Sequence, residues 1–291
     1  MDAGRADAAI SFEPHRPRLT RVAYRMLGSV ADAEDVVQEA FLRWHAADRS
    51  EIDNVEAFLV RVVTRLCLDV LKSARRRRET YIGPWLPEPV VDSEAEFADD
   101  VTLPLLLALE RLSPLERAAF LLHDVFGMEF DEVAAAIGRE SAACRQLAAR
   151  ARQHVHDARP RYAVDQRRGM EIAEAFFAAS QTGDMAKLKT MLAADITVTA
   201  DGGGKRPAGP VPIVGFDAVM ALMERMARLF AHSPSRLVRL ATINGLPGYV
   251  TLEADGQLQT TALEIVDGRI VRVFIMRNPD KLAHLEGTLV N

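Results

Sequence analysis

The chain has 291 residues, of which 49% are hydrophobic and 26% are charged, and this composition predicts a buried core and two or three domains. No stretch reaches the roughly 18 consecutive apolar residues of a membrane span, and the start of the chain lacks the apolar segment of a signal peptide, so we expect a cytoplasmic protein without membrane contacts. The formal charge of -5 does not exclude a nucleic-acid partner, because the acid excess lies mainly in residues 81–103, which hold six acidic residues and no Lys or Arg.

The first 80 residues predict a helical domain, with helices over residues 19–27, 32–44 and 55–78. The second helix turns its apolar residues to one side, and its other side presents Asp35, Gln38, Glu39 and Leu42. An acidic face with an exposed leucine repels DNA and suits a protein partner, although an acidic helix face alone is more often only solvated.

The third of these helices carries a basic stripe. Arg61, Arg65, Lys72 and Arg76 fall within roughly 60° of one another at a helical period. Phosphates are natural partners of such a stripe, but a solvated helix end explains it about equally well.

Both cysteines, Cys67 and Cys144, lie in apolar patterns of helical period. Two cysteines are too few for a disulfide framework or a cysteine-rich zinc site. We therefore expect reduced thiols in the core, and we expect no metal and no cofactor.

Residues 81–103 predict a linker, because Pro84, Pro87 and Pro89 exclude a regular helix and the acidic residues after them show no apolar stripe. Residues 84–87 form a stiff, partly apolar segment that loses little chain entropy on docking. Trp85 is its natural anchor in a pocket.

Residues 104–162 predict a second helical domain with the spacing of a helix-turn-helix. Helices are expected over 101–112, 114–126, 131–137 and 142–159, with Ser113 and Ser141 as N-caps. The last helix presents Arg145 and Gln146, which can each make two hydrogen bonds to base edges in a major groove, between small alanines that allow close approach. The alternative is the solvated face of an ordinary bundle, but the turn spacing and the lack of acids from residue 142 to 156 favour DNA.

Beyond residue 168 the pattern predicts an α+β cone. Helices are expected over residues 170–182, 184–192 and 216–230, and strands over 196–199, 236–244, 249–254, 258–266 and 270–277. A loop rich in Gly and Pro spans residues 201–212.

Catalysis by this last domain has little support. His232 and His284 have no carboxylate or thiol at a recognisable catalytic spacing, and a lone acid such as Asp201 is more often structural. A phosphate loop is excluded because Arg206 follows Lys205, where the pattern needs Ser or Thr. We therefore expect no enzymatic activity, and regulation by a small ligand in the cone stays an open alternative.

A family resemblance lies in AYRMLGSVADAEDVVQEAFLRWHAA, EAFLVRVVTRLCLDVLKSARRRRE and LSPLERAAFLLHDVFGMEFDEVAAAIGRESAACRQLAARARQHV. In this order and at this separation, the strings resemble the extracytoplasmic-function sigma factors of bacterial RNA polymerase, group IV of the sigma-70 family. The resemblance implies region 2 over residues 8–80, region 4 over 104–162, and a role in transcription initiation with core RNA polymerase and promoter DNA as partners.

The resemblance also implies roles for individual residues. The residues implied to bind polymerase, at the clamp helices of its largest subunit, are Asp32, Asp35, Gln38, Glu39 and Leu42. The flap of polymerase is implied as a second contact of the protein. Residues for the minus-ten element are Arg61, Thr64, Arg65, Asp69, Lys72 and Arg76. Residues for the minus-thirty-five element are Ser141, Ala142, Arg145, Gln146, Ala149 and Arg152.

The extension at residues 168–285 is similar to the SnoaL-like, NTF2-like cone. YIGPWLPEP, DGGGK and NPDKL resemble the signature of the sigma subgroup with a fused SnoaL-like domain, which implies a domain that replaces a separate anti-sigma factor in a protein that is monomeric when free. The residues implied in this regulation are Gly83, Pro84, Trp85, Leu86, Pro87, Asp201, Gly202, Gly203, Gly204, Lys205, Asn278, Pro279, Asp280, Lys281 and Leu282.

Two physical contacts are expected at these motifs. Asp201 and Lys205 could orient the linker by hydrogen bonds, and Lys281 could pair with the linker acids. Without the resemblance, DGGGK is better explained as a flexible turn and NPDKL as a helix cap.

A competing hypothesis is a one-component helix-turn-helix regulator that senses a ligand in the cone. The acidic face of residues 32–44 discriminates between the two, because a repressor has no use for a polymerase-docking domain.

Overall fold

The computed structural model describes residues 3–50, 52–91, 102–155 and 165–289. These residues fall into two compact units. The first unit combines the helices before residue 80 with those of residues 104–155, and the second combines residues 80–91 and 102–103 with everything from residue 165 onward. Within the described ranges, no helix is both long and apolar enough to cross a membrane.

The first half of unit 1 consists of helices α1 (Ala3–Phe12), α2 (Arg16–Leu27), α3 (Val30–Ala46) and α4 (Val55–Glu79). Gly28 ends α2 in the left-handed conformation, and the Ser29 hydroxyl caps α3 by accepting from the Asp32 amide. The buried Trp44 donates its indole N–H to the carbonyl of Ala8 at 3.2 Å. This contact fixes α1, a helix that the sequence analysis did not predict.

The second half of unit 1 consists of α5 (Leu103–Leu109), α6 (Pro114–Phe120), α7 (Phe130–Ile137) and α8 (Ser141–Val155). Ser113 caps α6 in a capping box with Glu116, which confirms the predicted cap. The helix predicted over 114–126 instead widens into a π-helical segment at Leu121–Val125. The left-handed Gly138 ends α7 and leaves a three-residue turn before α8, so the helix-turn-helix prediction is confirmed.

Unit 2 contains helices α9 (Gln166–Thr182), α10 (Met185–Met191) and α11 (Phe216–Phe230) and a six-stranded sheet. Its strands are β1 (Leu192–Asp201), β2 (Ile213–Val214), β3 (Arg236–Ile243), β4 (Leu246–Leu252), β5 (Leu258–Val266) and β6 (Arg269–Met276), in the order β2-β1-β6-β5-β4-β3. The core combines α9 and α11 with one face of the sheet, through Phe176, Val219, Tyr249, Leu263 and Val273 among others. The predicted α+β domain is confirmed.

The sheet differs from the predicted one in its edges. Strands β3 to β6 form an antiparallel meander, and β1 adds parallel to β6 and β2 antiparallel to β1. The fourth helix of this unit, α12 (Ala283–Leu289), was not predicted. Strand β4 begins at Leu246 rather than residue 249, because Asn244 and Gly245 form a tight turn with positive φ at both residues.

Candidate nucleic-acid interface and linker-docking site

Helix α8 presents the predicted basic face. Its buried side is formed by Cys144, Leu147, Ala148, Ala151 and Val155. The exposed side holds Ala142, Arg145, Gln146, Ala149 and Arg152. Guanidinium and amide groups therefore lie together on an exposed helix, with only alanine methyl groups between them, which is the chemistry that base edges recognise.

Several of these side chains have partners within unit 1. The Arg145 guanidinium lies 5.6 Å from the ring centroid of Phe130, and Arg152 pairs with Asp124 at 2.6 Å. The prediction that Ser141 caps α8 is wrong, because Ser141 is itself the first helical residue and its hydroxyl donates to Asp131 of α7. The turn thus positions Ser141 against the preceding helix.

The outer face of α3 is acidic and exposed, as the sequence analysis expects. Asp35 and Gln38 are exposed, and Leu42 keeps 54% of its surface open. Glu39 pairs with Arg43 at 2.9 Å, and Asp32 lies in the first turn beside its cap. An apolar residue inside an acidic surface is suited to a protein partner that carries basic and apolar groups.

The basic stripe of α4 is only partly exposed. Arg61 is half-buried over the Phe58 ring, at 5.3 Å, and Thr64 is completely buried. The exposed Lys72 pairs with Asp69 at 2.8 Å. The side chain of Arg76 lies outside the described residues. Thr64 therefore offers no surface to DNA in this conformation, in contrast to its neighbours on the stripe.

Arg65 of α4 contacts the helix-turn-helix. Its guanidinium donates to the carbonyl oxygens of Ala135 at 3.1 Å and Ala136 at 3.4 Å, which belong to the last turn of α7. Carbonyls at a helix C-terminus have no helical donor and attract a cation. The residue that the resemblance assigns to the minus-ten element thus contacts region 4.

A cleft of about 410 Å³ lies beside this contact. One wall is formed by residues before and within α4: Ile52, Asp53, Asn54, Ala57, Phe58 and Arg61. The other wall is formed by Met128 and by three residues of α7: Asp131, Glu132 and Ala135. The part of region 2 expected to engage the minus-ten element therefore faces region 4 in this conformation.

A buried arginine joins the two halves of unit 1. Arg117 of α6 is 3% exposed and donates through Nη1 to the Met26 carbonyl at 2.6 Å and to Glu110 at 2.7 Å. Burial lowers the pKa of Arg117 to about 10. Met26 lies in the last turn of α2, so region 4 supplies a donor that the end of a region 2 helix needs.

The linker docks on unit 2 through the Asp201 carboxylate. This carboxylate, fully buried at the end of β1, accepts hydrogen bonds from the Tyr81 hydroxyl at 2.6 Å, the Leu86 amide at 2.9 Å and the Gly203 amide at 3.0 Å. Burial, with Asp201 beside it, raises the pKa of Tyr81. Two of the three donors belong to the linker, so one carboxylate joins the linker to the loop after β1.

Lys281 completes this buried site. Its ammonium donates to Asp201 at 2.8 Å and to the Leu86 carbonyl at 2.6 Å, and it lies 4.3 Å from the Trp85 ring centroid and 4.8 Å from that of Tyr81. The ammonium is therefore enclosed by a carboxylate, a carbonyl and two aromatic faces. Asp201 of the cone is thus a partner of Lys281, whereas five of the six linker acids expected to pair with it lie outside the described residues, so that expectation stays a prediction.

The glycines of DGGGK allow a close approach of backbone to the linker. Gly203 has a φ of 60°, and a Cβ there would lie 2.2 Å from Nδ2 of Asn278. A Cβ on Gly204 would lie 2.8 Å from Cδ1 of Ile82 in the linker. A side chain at Gly203 would collide with Asn278, and the positive φ of both glycines, 60° and 70°, disfavours any other residue there.

Other predicted residues of this site have different contacts from those expected. Lys205 pairs with Asp280 on the surface, at 2.6 Å, and residues 92–101 of the linker lie outside the described part of the chain. Leu86 is the buried anchor, whereas Trp85 is half-buried beneath the Lys281 ammonium. The remaining residues of the set lie in the same region: Gly83, Pro84 and Pro87 in the linker, Gly202 after β1, and Pro279 and Leu282 in the turn that begins at Asn278.

The two histidines of unit 2 bond to backbone carbonyls. His232 contacts the carbonyl of Arg228 at 2.9 Å, and His284 contacts that of Pro89 at 2.9 Å. Among the described residues, no three His, Cys, Asp or Glu side chains are grouped to hold a metal ion.

Three contributors were missed in the sequence. Tyr81 is the first residue of the string YIGPWLPEP, but it was left out of the predicted regulatory residues. Arg117 looks in sequence like an ordinary helix residue, and its partner Met26 lies 91 residues away. Asn244 looks like an ordinary turn residue, and its partner Val90 lies 154 residues away. No local pattern marks such pairs.

Comparisons with known proteins agree with this architecture. The family model for Sigma-70 region 2 matches residues 12–77, and that for Sigma-70, region 4 matches residues 102–155. The ECF RNA polymerase sigma factor SigJ of Mycobacterium tuberculosis is 38% identical over 286 residues, which cover 93% of this chain and 91% of SigJ. A probable ECF RNA polymerase sigma factor, SigI, of the same species is 33% identical over 287 residues, which cover 96% of each chain.

The crystal structure of Mycobacterium tuberculosis SigJ is similar to the whole chain. It has a TM-score of 0.74 and 37% identity, and the match covers 94% of this chain and 97% of SigJ. The similarity therefore includes the C-terminal domain as well as the two helical regions.

Proposed function

This chain belongs to the ECF RNA polymerase sigma factors, and we propose that it binds core polymerase and two promoter elements through separate helices, under the control of its own C-terminal domain. A sigma factor binds core RNA polymerase and directs it to promoters. The proposal assigns these tasks to residues. It is carried by one observation: the acidic, leucine-bearing face of α3 and the basic, amide-bearing face of α8 are chemically opposite surfaces of one chain.

The polymerase surface is the outer face of α3. Asp32, Asp35, Gln38 and Glu39 would face the clamp helices of the largest subunit, and Leu42 would bury its exposed side chain there. Region 4 would add a contact with the flap. The acidic charge steers association, and the buried leucine adds affinity.

The promoter surfaces are α4 and α8. Arg61, Arg65, Lys72 and Arg76, with Asp69 between them, would engage the minus-ten element, and the buried Thr64 would become available only after α4 changes its packing. The face of α8 defined by Ser141, Ala142, Arg145, Gln146, Ala149 and Arg152 would read the minus-thirty-five element in the major groove.

The C-terminal domain would take the place of a separate anti-sigma factor. The docked linker supports this role, because it connects region 2 to region 4 and is held by buried charges of that domain. We assign the domain no catalytic step, and we assign the protein a monomeric free state in the cytoplasm, where polymerase and promoters are found.

Substitutions should separate the two binding functions. Arg145→Ala or Gln146→Ala should cost about 1 to 3 kcal/mol at one base pair of the upstream element and leave core binding unchanged. Asp35→Asn with Glu39→Gln should weaken core binding and leave DNA contacts unchanged. Arg150→Ala is the matched control, because Arg150 lies on α8 outside the proposed face and pairs with Glu116. Equal loss of core binding from both sets would contradict the assignment.

The deciding experiment combines pull-down of purified core polymerase with run-off transcription. We expect the full chain to bind core polymerase and to start transcription at its promoter. Operator binding without core association would instead favour a one-component regulator, a hypothesis that leaves the α3 face and the region 2 match without a purpose.

A further inference from the structure

The turn between β3 and β4 is unusual because its first residue is buried. Asn244 and Gly245 have φ values of 46° and 74°, as a two-residue hairpin turn requires. Asparagine tolerates this conformation, which explains the residue type. It does not explain why Asn244 is only 6% exposed at a hairpin tip, where a turn residue normally faces water.

Asn244 is buried because it binds the linker on both sides of residues 91–102. Its Oδ1 accepts from the Val90 amide at 2.5 Å, and its backbone amide donates to the Val90 carbonyl at 2.9 Å. Its Nδ2 donates to the Glu88 carbonyl at 3.3 Å, and its own carbonyl accepts from the Leu103 amide at 2.9 Å. One residue thus satisfies backbone groups at both ends of this linker segment.

Neighbouring contacts extend the same attachment. Val91 pairs antiparallel with Ile243, the last residue of β3. A Cβ on Gly245 would lie 3.3 Å from the Thr102 side chain. Thr102, near the end of the linker, therefore packs against the turn. The attachment is separate from the buried Asp201–Lys281 pair, which holds the linker at residues 81–86.

We propose that Asn244 is a positioning residue that latches both ends of residues 91–102 and so controls the release of region 4. This inference rests on the proposed regulatory role of the C-terminal domain and identifies a second device within it. Region 4 begins directly after Leu103. While the latch is closed, Leu103, the residue directly before region 4, is bound to the β3–β4 turn.

Chain length makes the latch relevant to promoter binding. Residues 80–103 can span about 80 Å when fully extended, at roughly 3.3 to 3.6 Å per residue. Two promoter elements more than one helical turn apart need a span of more than about 35 Å. With residues 88–90 and 103 held at one turn, the linker cannot extend, so the latch must open before both elements are bound.

The hairpin between β5 and β6 supplies a matched control. Its turn residue Asp267 has a φ of 50° and is followed by Gly268, as Asn244 is followed by Gly245. Asp267 is exposed. Asn244→Gly and Asp267→Gly both keep a residue that tolerates positive φ, but only the first removes side-chain contacts with the linker.

The test compares these two variants of the full chain by hydrogen exchange and run-off transcription. In Asn244→Gly, the Val90 amide loses its Oδ1 acceptor and should exchange about tenfold faster, while the Leu86 amide stays protected by Asp201 and the Leu103 amide keeps the backbone carbonyl of residue 244. Transcription should rise several-fold. Asp267→Gly should change neither, and circular dichroism spectra equal to that of the parent would show that both variants keep their secondary structure.

The outcomes distinguish the latch from the regulatory role on which it rests. Unchanged exchange at residues 88–91 would overturn the latch. Faster exchange with parental transcription would overturn its control of region 4, provided that a variant of the Asp201–Lys281 pair still raises transcription. If neither kind of variant changes transcription, the regulatory role of the whole domain fails.

Discussion

A Lys281→Met variant should release the linker from the C-terminal domain and raise transcription in a run-off assay. The substitution leaves the fully buried Asp201 carboxylate without its cation, and breaking a buried ion pair by removing one partner costs about 3 to 5 kcal/mol. It also removes the donor to the Leu86 carbonyl. Urea unfolding should show the loss of stability, and hydrogen exchange should show faster exchange at residues 81–87.

Lys205→Met is the matched control for this prediction. It removes the same group from the neighbouring motif, but Lys205 and Asp280 are both more than half exposed, and such pairs contribute about 0 to 1 kcal/mol. Parental exchange and activity are expected. The double variant Lys281→Met with Asp201→Asn should recover part of the lost stability, because it leaves no buried charge unpaired.

The size of the truncation effect would define the role of the domain further. If docking only restrains the linker, removal of everything beyond Arg168 should raise transcription as Lys281→Met does. If the docked domain also supports the linker on polymerase, the point variant gains activity and the truncation loses it. A Lys281→Met protein with parental stability, exchange and activity would contradict the docking role.

Helical periodicity and helix ends in the sequence were enough to predict most of the helices of both sigma regions. The helix-turn-helix follows from the three-residue turn that begins at Gly138, and the core side of α8 follows from its apolar spacing. The π-helical segment at Leu121–Val125 was missed, because its hydrogen bonds shift by one residue without any change in the apolar pattern.

The linker-docking site could be located from sequence but not resolved into contacts. The three motif strings predicted which segments meet, and the structure brings Leu86, Asp201 and Lys281 together. They did not predict which polar atoms pair, because that depends on burial. Both Lys205 and Lys281 belong to recognised motifs, but Lys205 is exposed to water whereas Lys281 is buried.

An Arg117→Met variant should separate region 4 from region 2 in the free protein. The guanidinium is the donor for the Met26 carbonyl at the end of α2 and the partner of Glu110, and methionine fills similar space without supplying either bond. The loss of a buried, paired arginine costs about 3 to 5 kcal/mol, which is comparable with the stability of a small domain interface. We expect a larger radius of gyration in small-angle scattering and exposure of the Arg65 contacts with Ala135 and Ala136.

Arg150→Met provides the control, because Arg150 belongs to the same region and forms an exposed pair with Glu116. Arg117→Lys, which keeps the charge and one donor, should lie between the parent and Arg117→Met. Circular dichroism establishes that the helices remain folded. If Arg117→Met lowers stability but leaves the radius of gyration and the exchange of α4 and α7 amides at parental values, Arg117 serves only the internal packing of region 4, and the closed arrangement of the two regions does not depend on it.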